Sequence, residues 1–279
     1  MDLTNYIDGL EKRAAESIRA EQGDYELDGL LHCHKCNTPK QCRVVLFGVE
    51  RRPMCLCKCE VEKREREEAE RKRIEFEARV KEMRRIAFPE SAMQDWTFAN
   101  DDGESSQIIT IAKNYVNNFD KMLEDGKGLL LFGGVGNGKT FASACIANAL
   151  IDKGYPCMMT NFARIANTVQ GMFEGRQAYY DSFNRYPLLV IDDLSAERKT
   201  EYMQEIVFNV IDSRYRAGLP LIVTSNLTSD EIKNPADIAY QRIFSRLLEM
   251  CVPIEVKGED RRRKILKNSF GEYSDLLGI

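Results

Sequence analysis

The sequence predicts an α/β protein with a parallel sheet flanked by helices, preceded by a small cysteine-rich module and a charged helix. Apolar runs at 128–132, 157–160, 187–191 and 220–224 alternate with segments of helical spacing, such as Phe141–Lys153 and Glu201–Ala217. Continuously apolar runs of this length are typical of strands buried on both faces, and their alternation with helices predicts a parallel sheet. Most of the cysteines are instead crowded into residues 1–60, which sets the front of the chain apart from the sheet.

The length and composition indicate one sizeable domain with a small accessory module. The 279 residues are 43% hydrophobic and 30% charged, with a formal net charge of −4. This charge excludes a basic field over the whole protein, so any nucleic-acid surface must be local. No apolar run approaches the roughly 18 residues of a membrane helix, and the start lacks the features of a signal peptide. We therefore expect a cytoplasmic protein that does not enter a membrane.

We expect three parts along the chain: a cysteine-rich module over 1–60, a charged linker helix over 61–88 and the sheet domain over 89–279. The linker contains no Gly or Pro and mixes acids with bases. Acids precede bases by four residues at Glu67–Arg71 and Glu68–Lys72, the favourable order for helical ion pairs. The segment is interpreted as a solvated spacer helix, with a partner-binding helix as the alternative.

Residues 133–140, GGVGNGKT, match the phosphate-binding pattern G-x-x-x-x-G-K-[ST] between an apolar run and a helical segment. The glycines let the backbone wrap around phosphate oxygens, and the following helix adds its partial positive charge. Lys139 is predicted to pair with the β- and γ-phosphates of ATP, and the Thr140 hydroxyl to ligate Mg²⁺. The predicted nucleotide-binding residues are Gly133, Gly134, Val135, Gly136, Asn137, Gly138, Lys139, Thr140 and Phe141.

Polar side chains follow the next apolar runs, at the points where the predicted strands end. LLVIDD places Asp192 to hold the Mg²⁺ shell and Asp193 to polarise the attacking water as general base. The following run ends in TSN, so Asn226 is a candidate to orient that water, the alternative being an Asn that caps a turn. Together with the phosphate-binding loop, these residues predict an enzyme that hydrolyses ATP.

The cysteine-rich front has the spacing of a zinc site. Its C-x-x-C knuckle is followed about 20 residues later by a second cluster, and four thiolates from two short loops form a tetrahedral zinc site. The favoured Zn²⁺ ligands are Cys33, Cys36, Cys57 and Cys59, with Cys55, His34 and Cys42 as alternates. Reduced thiols without a metal are the competing interpretation.

Arginines near the C-terminus are candidates for a role in catalysis. Arg242 and Arg246 lie one helical turn apart, and a basic cluster occupies 261–264. A cation beside a γ-phosphate stabilises transition-state charge, and a cation supplied by a neighbouring subunit makes hydrolysis depend on assembly. For each arginine alone, a solvated surface position is an equally good interpretation.

With these motifs, the chain resembles the AAA+ helicase loaders of the DnaC type and the IstB-like transposition ATPases, over roughly residues 95–270. The resemblance rests on LLLFGGVGNGKT, LLVIDDLSAERKTEY, VIDSRYRAGLPLIVTSNL and RIFSRLLEMCVPIEVKGEDRR. It implies that residues 89–279 form an AAA+ ATPase domain with central strand order 5-1-4-3-2. It also implies that Arg246 is an arginine finger acting on a neighbour's ATP, that Arg262 is a second nucleotide sensor, and that Phe98 lies near the adenine.

The resemblance implies an ATPase that loads a DnaB-type replicative helicase onto single-stranded DNA, contacts it through the N-terminal region and forms a homo-oligomer when ATP-bound. One departure is Asp193, because most AAA+ proteins have Glu after the first acid. Two alternatives remain: an IstB-like transposition helper that acts on duplex DNA, and a zinc-bearing nucleotide-binding scaffold that scarcely hydrolyses ATP. A metabolic P-loop kinase is disfavoured because the sequence has no recognisable acceptor site.

Overall fold

The computed structural model describes residues 20–101, 106–194, 200–235 and 237–258, with the single positions 9, 103, 260, 274 and 277. The chain divides into two compact units, residues 1–77 and 78–279. The division falls within one helix, α1 (Lys58–Ala87). The three-part boundaries suggested by the sequence stay a prediction.

Two antiparallel hairpins lie in the described part of the N-terminal unit ahead of α1. The first pairs β1 (Tyr25–Leu27) with β2 (Leu30–His32), and the second pairs β3 (Val44–Leu46) with β4 (Val49–Arg51). Each closes through two residues at positive φ, Asp28–Gly29 and Phe47–Gly48, as two-residue hairpin turns require. Phe47 is 78% exposed at the tip of the second hairpin.

Helix α1 is solvated over most of its length, since every residue from 61 to 79 is exposed. The predicted charged helix is therefore confirmed. Lys72 pairs with Glu68 at 2.7 Å, as expected from the spacing. Glu67 and Arg71, which were also predicted to pair, have other partners. Glu67 pairs with Lys63, and Arg71 pairs with Glu75.

The second unit contains the predicted parallel sheet. Its strands are β5 (Gly128–Phe132), β6 (Cys157–Asn161), β7 (Leu188–Asp192), β8 (Leu221–Ser225) and β9 (Cys251–Glu255). All neighbouring pairs are parallel, in the order β6-β7-β8-β5-β9. Read from β9, this is the 5-1-4-3-2 order that the resemblance implied. Two strands begin one residue later than predicted, after Pro187 and Pro220, because proline has no N–H for the ladder.

Helices cover both faces of the sheet. They are α2 (Ser106–Asn117), α3 (Phe119–Glu124), α4 (Lys139–Asp152), α5 (Phe162–Gln170), α6 (Arg176–Ser182), α7 (Glu201–Ala217), α8 (Ser229–Lys233) and α9 (Ile238–Met250), with 3₁₀ turns at Ser91–Asp95, Phe98–Asn100 and Phe183–Arg185. Helix α7 has its predicted bounds, whereas α4 begins at Lys139 instead of Phe141. Within the described ranges, none of the helices combines the length and apolarity that a membrane crossing needs.

Side chains alternate between the two faces along each strand. In β5, Leu130 and Phe132 join one buried cluster with α5, α6, α7 and α9. Leu129 and Leu131 join the other with α2, α3 and α4. Burial on both faces explains why these strands are apolar throughout. The carboxyl ends of β5, β7 and β8 meet at one edge, where ligands bind in open α/β sheets.

Candidate nucleotide-binding site

The glycine-rich loop joins β5 to α4 at the carboxyl edge of the sheet. Gly136 has φ +78°, and a Cβ added there would lie 1.9 Å from Oδ1 of Asp260. Glycine is therefore required both by the backbone conformation and by the lack of space. Because α4 begins at Lys139, within the loop motif, its free N-terminal amides face the position where an anion would bind.

Lys139 places a buried cation inside this loop. The residue is 6% exposed, and its Nζ donates to the carbonyl oxygens of Gly133 at 2.9 Å and Gly134 at 2.5 Å. Neutral carbonyls satisfy an ammonium less well than charged phosphate oxygens do. The loop therefore presents a positive charge that fits a nucleotide phosphate.

The other loop residues differ in their surroundings. Asn137 is 5% exposed, and its Nδ2 donates to the Val256 carbonyl at 2.8 Å, which ties the loop to the segment after β9. Val135 is exposed. Phe141 packs against Trp96, with ring centroids 5.9 Å apart. Asn137 thus supports the shape of the loop, in addition to the nucleotide contact that the sequence predicts.

Asp192, the predicted Mg²⁺-associated acid, ends β7 and contacts two hydroxyl groups. Its Oδ1 accepts from Thr140 Oγ1 at 2.8 Å and from Thr224 Oγ1 at 2.7 Å. Burial raises the pKa of the carboxyl group, and the two hydroxyl donors oppose that rise. Thr140 and Asp192 therefore lie together at the loop, as a Mg²⁺ site in this position requires.

Asp193 and Asn226 are also brought together. Asn226 Nδ2 donates to Asp193 Oδ1 at 3.2 Å. Asp193 has φ +60°, a left-handed conformation that is uncommon for residues with a side chain. The predicted general base and the predicted water-orienting amide thus lie within hydrogen-bonding distance of each other.

Sequence reasoning missed Thr224 as a site residue. It lies on β8, is 2% exposed, and contacts Asp192 through its hydroxyl. The available signal was a hydroxyl side chain directly after an apolar run, on the strand next to the one that ends in the acidic pair. Which strands are neighbours had to be known before that signal could be used.

Arg246 lies on α9 and contacts α7 of its own chain. Its Nη2 lies 2.8 Å from Oδ1 of Asp212. Its guanidinium carbon lies 4.3 Å from the ring centroid of Phe208 and 5.9 Å from that of Tyr215. These contacts hold the guanidinium on the surface formed by α7 and α9. Its action on a neighbour's nucleotide stays a prediction.

Two further nucleotide contacts, Arg262 and Phe98, were implied by the resemblance. Arg262 falls outside the described residues, while Asp260, two positions earlier, lies against Gly136. Phe98 is half-buried, with Lys113 Nζ 5.7 Å from its ring centroid.

The favoured cysteines form a compact cluster in the N-terminal unit. The sulphur atoms of Cys33, Cys36, Cys57 and Cys59 all lie within 4.8 Å of one another. Zn–S bonds of about 2.3 Å in a tetrahedron place the sulphurs about 3.8 Å apart, so these residues fit a zinc ion. Sulphur–sulphur separations of 3.7 Å for Cys33–Cys59 and 3.4 Å for Cys57–Cys59 agree with this spacing.

Neighbouring groups shift the pKa values of the cysteines in this cluster in opposite directions. The Thr38 hydroxyl lowers the pKa of Cys36, whereas the Cys57 thiol raises the pKa of Cys59. A cation among the sulphurs would favour the thiolate form of all four. Among the alternate ligands, His34 Nδ1 lies 3.1 Å from Asp24 Oδ1. His34, Asp24 and Cys33 form a smaller group of possible metal ligands.

Three features define a P-loop ATP-binding protein of the AAA+ type. They are the strand order of the sheet, the glycine-rich loop after β5 and the acidic pair at the end of β7. Comparison with known families agrees with this class. The chain belongs to the IstB-like ATP binding protein family, whose profile matches residues 60–269.

Curated relatives include both kinds of protein that the motifs resemble. The chain is 31% identical over 150 residues to the replicative helicase loader DnaI of Bacillus subtilis (strain 168), covering 49% of this chain and 48% of that protein. It is 22% identical over 143 residues to the replicative helicase loader DnaC of Escherichia coli (strain K12), covering 50% and 56%. It is 26% identical over 166 residues to a Sinorhizobium fredii protein described as an insertion sequence ATP-binding protein, covering 57% and 53%. The matches span about half the length of these relatives.

Solved structures share the fold. The crystal structure of DnaI aligns with a TM-score of 0.50 at 24% identity, covering 61% of this chain and 96% of that chain. A structure described as a primosome component from Streptococcus pyogenes serotype M3 aligns with a TM-score of 0.54 at 20% identity, covering 65% and 96%. The predicted resemblance and the predicted α/β fold are therefore confirmed.

Proposed function

We propose that this chain is a cytoplasmic ATPase whose cycle loads a DnaB-type replicative ring helicase onto single-stranded DNA. The main support is that Lys139, the Thr140–Asp192 pair and the Asp193–Asn226 pair meet at one edge of the sheet. The similarity to proteins named as replicative helicase loaders points to the helicase as the target.

Each group at this edge has a chemical role in the proposed hydrolysis. Lys139 would exchange the two loop carbonyls for β- and γ-phosphate oxygens. Thr140 and Asp192 would hold a Mg²⁺ ion, which neutralises phosphate charge when bound. Asp193 would accept a proton from water oriented by Asn226, because the two side chains lie 3.2 Å apart and one water molecule could contact both.

Arg246 would act on the nucleotide of a second copy of this chain. Contacts with Asp212 and Phe208 restrict the rotation of the Arg246 side chain. This restriction lowers the conformational entropy that the side chain loses when it binds a phosphate. Loss of a finger of this kind lowers hydrolysis by about 10³-fold or more. We expect Arg246→Ala to hydrolyse ATP as slowly as Lys139→Ala.

A mixing experiment separates action in trans from action in cis. Lys139→Ala keeps Arg246 but lacks the loop cation, whereas Arg246→Ala has the opposite defect. Mixing the two inactive variants should restore turnover if one subunit's Arg246 serves its neighbour's site. Mixtures that remain as inactive as either variant alone would contradict the trans assignment and the proposed oligomer.

The N-terminal unit is the proposed helicase contact, stabilised by Zn²⁺ in the cysteine cluster. Its second hairpin exposes Val45, Phe47 and Val49 to 70%, 78% and 56%, an apolar tip that a partner surface would cover. Phe47→Asn removes the aromatic ring while suiting the positive φ. We expect helicase affinity to fall about tenfold or more. The matched control is Ile74→Asn on α1, which tests the charged helix as the alternative contact.

The first test is ATP turnover by the purified protein with single-stranded DNA, with duplex DNA and without DNA, using Lys139→Ala as the blank. Stimulation by single strands and ATP-dependent binding to a ring helicase are the expected results. Helicase binding that is absent, or that ignores ATP, would overturn the loader proposal.

A transposition helper is the second candidate, because the family is described as IstB-like and the Sinorhizobium fredii relative as an insertion sequence ATP-binding protein. Stimulation of turnover by duplex DNA alone would favour it. Tight ATP binding with no turnover under any of these conditions would favour a zinc-bearing scaffold.

A further inference from the structure

Thr224 is the buried hydroxyl group that joins the two acids of the site. Its Oγ1 lies 2.7 Å from Oδ1 of Asp192 and 2.8 Å from the backbone nitrogen of Asp193. The residue lies on β8 and is 2% exposed. Water therefore cannot readily replace either hydrogen bond if the hydroxyl group is removed.

The directions of these two hydrogen bonds are fixed by their donors. A backbone N–H can only donate, so Thr224 Oγ1 accepts from Asp193. The single hydroxyl proton of Thr224 is then donated to Asp192. That arrangement requires Asp192 Oδ1 to accept from both Thr224 and Thr140, which fixes the plane of the carboxylate.

The same residue holds the turn that follows Asp192. Asp193 has φ +60°, and its N–H donates to the Thr224 hydroxyl. One residue later, the Leu194 N–H donates to the Thr224 carbonyl oxygen at 2.7 Å. The turn then places Asp193 Oδ1 within 3.2 Å of Asn226 Nδ2. A valine at 224 would keep the bond to its carbonyl but lose the one to its hydroxyl group.

We propose that Thr224 is a positioning residue for ATP hydrolysis. Its one hydroxyl group orients the Asp192 carboxylate and at the same time holds the left-handed turn that directs Asp193 toward Asn226. It acts through these two acids and does not contact the nucleotide. The inference rests on the proposed hydrolysis at this site.

The test compares Thr224→Val, which keeps the shape and removes the hydroxyl group, with Thr224→Ser, which keeps the hydroxyl group. Thr160→Val is the matched control, because Thr160 lies on β6 beside Ile191 of β7. For each full-length variant, kcat and KM are measured against Mg²⁺ concentration. Affinity for ATP is measured separately with Mg²⁺ and with a chelator, and thermal unfolding checks the fold.

We expect Thr224→Val to lower kcat about 10- to 100-fold, the usual cost of removing a group that orients a metal-binding carboxylate. Its ATP affinity in chelator should stay within about twofold of the unchanged protein, because the phosphate-binding loop is intact. Thr224→Ser should recover most of the lost kcat. Should Thr224→Val fail to fold, Thr224→Cys takes its place, because a thiol is a weak donor.

A Thr224→Val variant with unchanged kcat and unchanged Mg²⁺ dependence would overturn the proposal. So would a Thr224→Ser variant as impaired as Thr224→Val, or a Thr160→Val control with the same defect. If the unchanged protein shows no turnover, the proposed hydrolysis fails. In that case the gain in ATP affinity on adding Mg²⁺ decides the role of Thr224, since it should be lost in Thr224→Val and kept in Thr224→Ser.

Discussion

The two compact units bury different kinds of side chain. Over residues 20–77, the buried residues are His32, Cys33, Lys40 and Cys57, whereas the second unit buries aliphatic side chains on both faces of its sheet. Apolar burial this small contributes little against the entropy lost on folding. We therefore expect residues 20–57 to be stabilised by the ion pair between Lys40 and Asp24 and by a metal ion held in the cysteine cluster.

The ion pair is short and well supported. Lys40 Nζ lies 2.6 Å from Asp24 Oδ2, and the two side chains are 6% and 1% exposed. This ammonium group, together with the Glu21 N–H, holds the pKa of Asp24 well below its usual range. The comparison teaches that buried polar contacts stand out in residues 20–57, whereas the second unit relies on the hydrophobic effect.

The largest expected effect comes from Cys57→Ser or from metal removal by a chelator. Structural zinc sites contribute on the order of 10 kcal/mol, so the N-terminal unit should lose its structure. Amide hydrogen exchange should rise across residues 20–57 and stay unchanged in the sheet. The exposed Cys42 supplies the matched control, Cys42→Ser, which should keep both metal and protection. Purified protein that holds no zinc and keeps its protection with a chelator would refute the comparison.

Leu131→Ala is the reciprocal change in the second unit. Leu131 is fully buried, so the cavity should cost about 2–5 kcal/mol of unfolding free energy. The single tryptophan, Trp96, belongs to this unit, so its fluorescence reports denaturant unfolding there. Metal content should not change. Leu248→Ala, at a residue that is 40% exposed, is the control. A fall in metal content with Leu131→Ala would show that the units are not stabilised separately.

Arg214→Met tests a buried set of hydrogen bonds inside the second unit. Arg214 is fully buried, and its guanidinium donates to the carbonyl oxygens of Phe183, Tyr186, Pro187 and Pro220, which lie just before β7 and β8. A carbonyl left without its donor costs about 1–3 kcal/mol. Chemical denaturation should show a loss of at least this size, while the sheet still folds. An unchanged midpoint would mean that water replaces the guanidinium.

The smallest effect is expected on the exposed part of α1. Glu68→Gln removes the ion pair with Lys72, which should lower stability only slightly, and this small effect should vanish at high salt. Circular dichroism of the full chain at two salt concentrations measures the change. A loss as large as the one expected for Arg214→Met would show that this part of the helix packs against something.

The sheet could be predicted from sequence because burial on both faces makes each strand apolar throughout. The order of strands came from the resemblance, since periodicity alone does not state which strands are neighbours. The phosphate-binding loop was predicted from its contiguous motif, and Asp192 from its position at the end of a predicted strand. Asp193 and Asn226 were predicted from strand ends, and the structure places them in contact.

The rest depended on contacts between distant parts of the chain. The Thr224 hydroxyl meets Asp192 only because β7 and β8 are adjacent. Arg246 forms an ion pair with Asp212 only because α9 packs on α7. The N-terminal hairpins were missed, although Asp28–Gly29 between short apolar stretches is a strong turn signal.

The left-handed backbone at Asp193 limits which acid can occupy that position. Aspartate and asparagine tolerate positive φ better than other residues with a side chain, so a glutamate would fit this turn poorly. Most AAA+ proteins have glutamate here, whose extra methylene group reaches further toward water. In this chain the conformation of the turn and the length of the acid are therefore coupled, and a longer acid would be accommodated only if the turn itself were rebuilt.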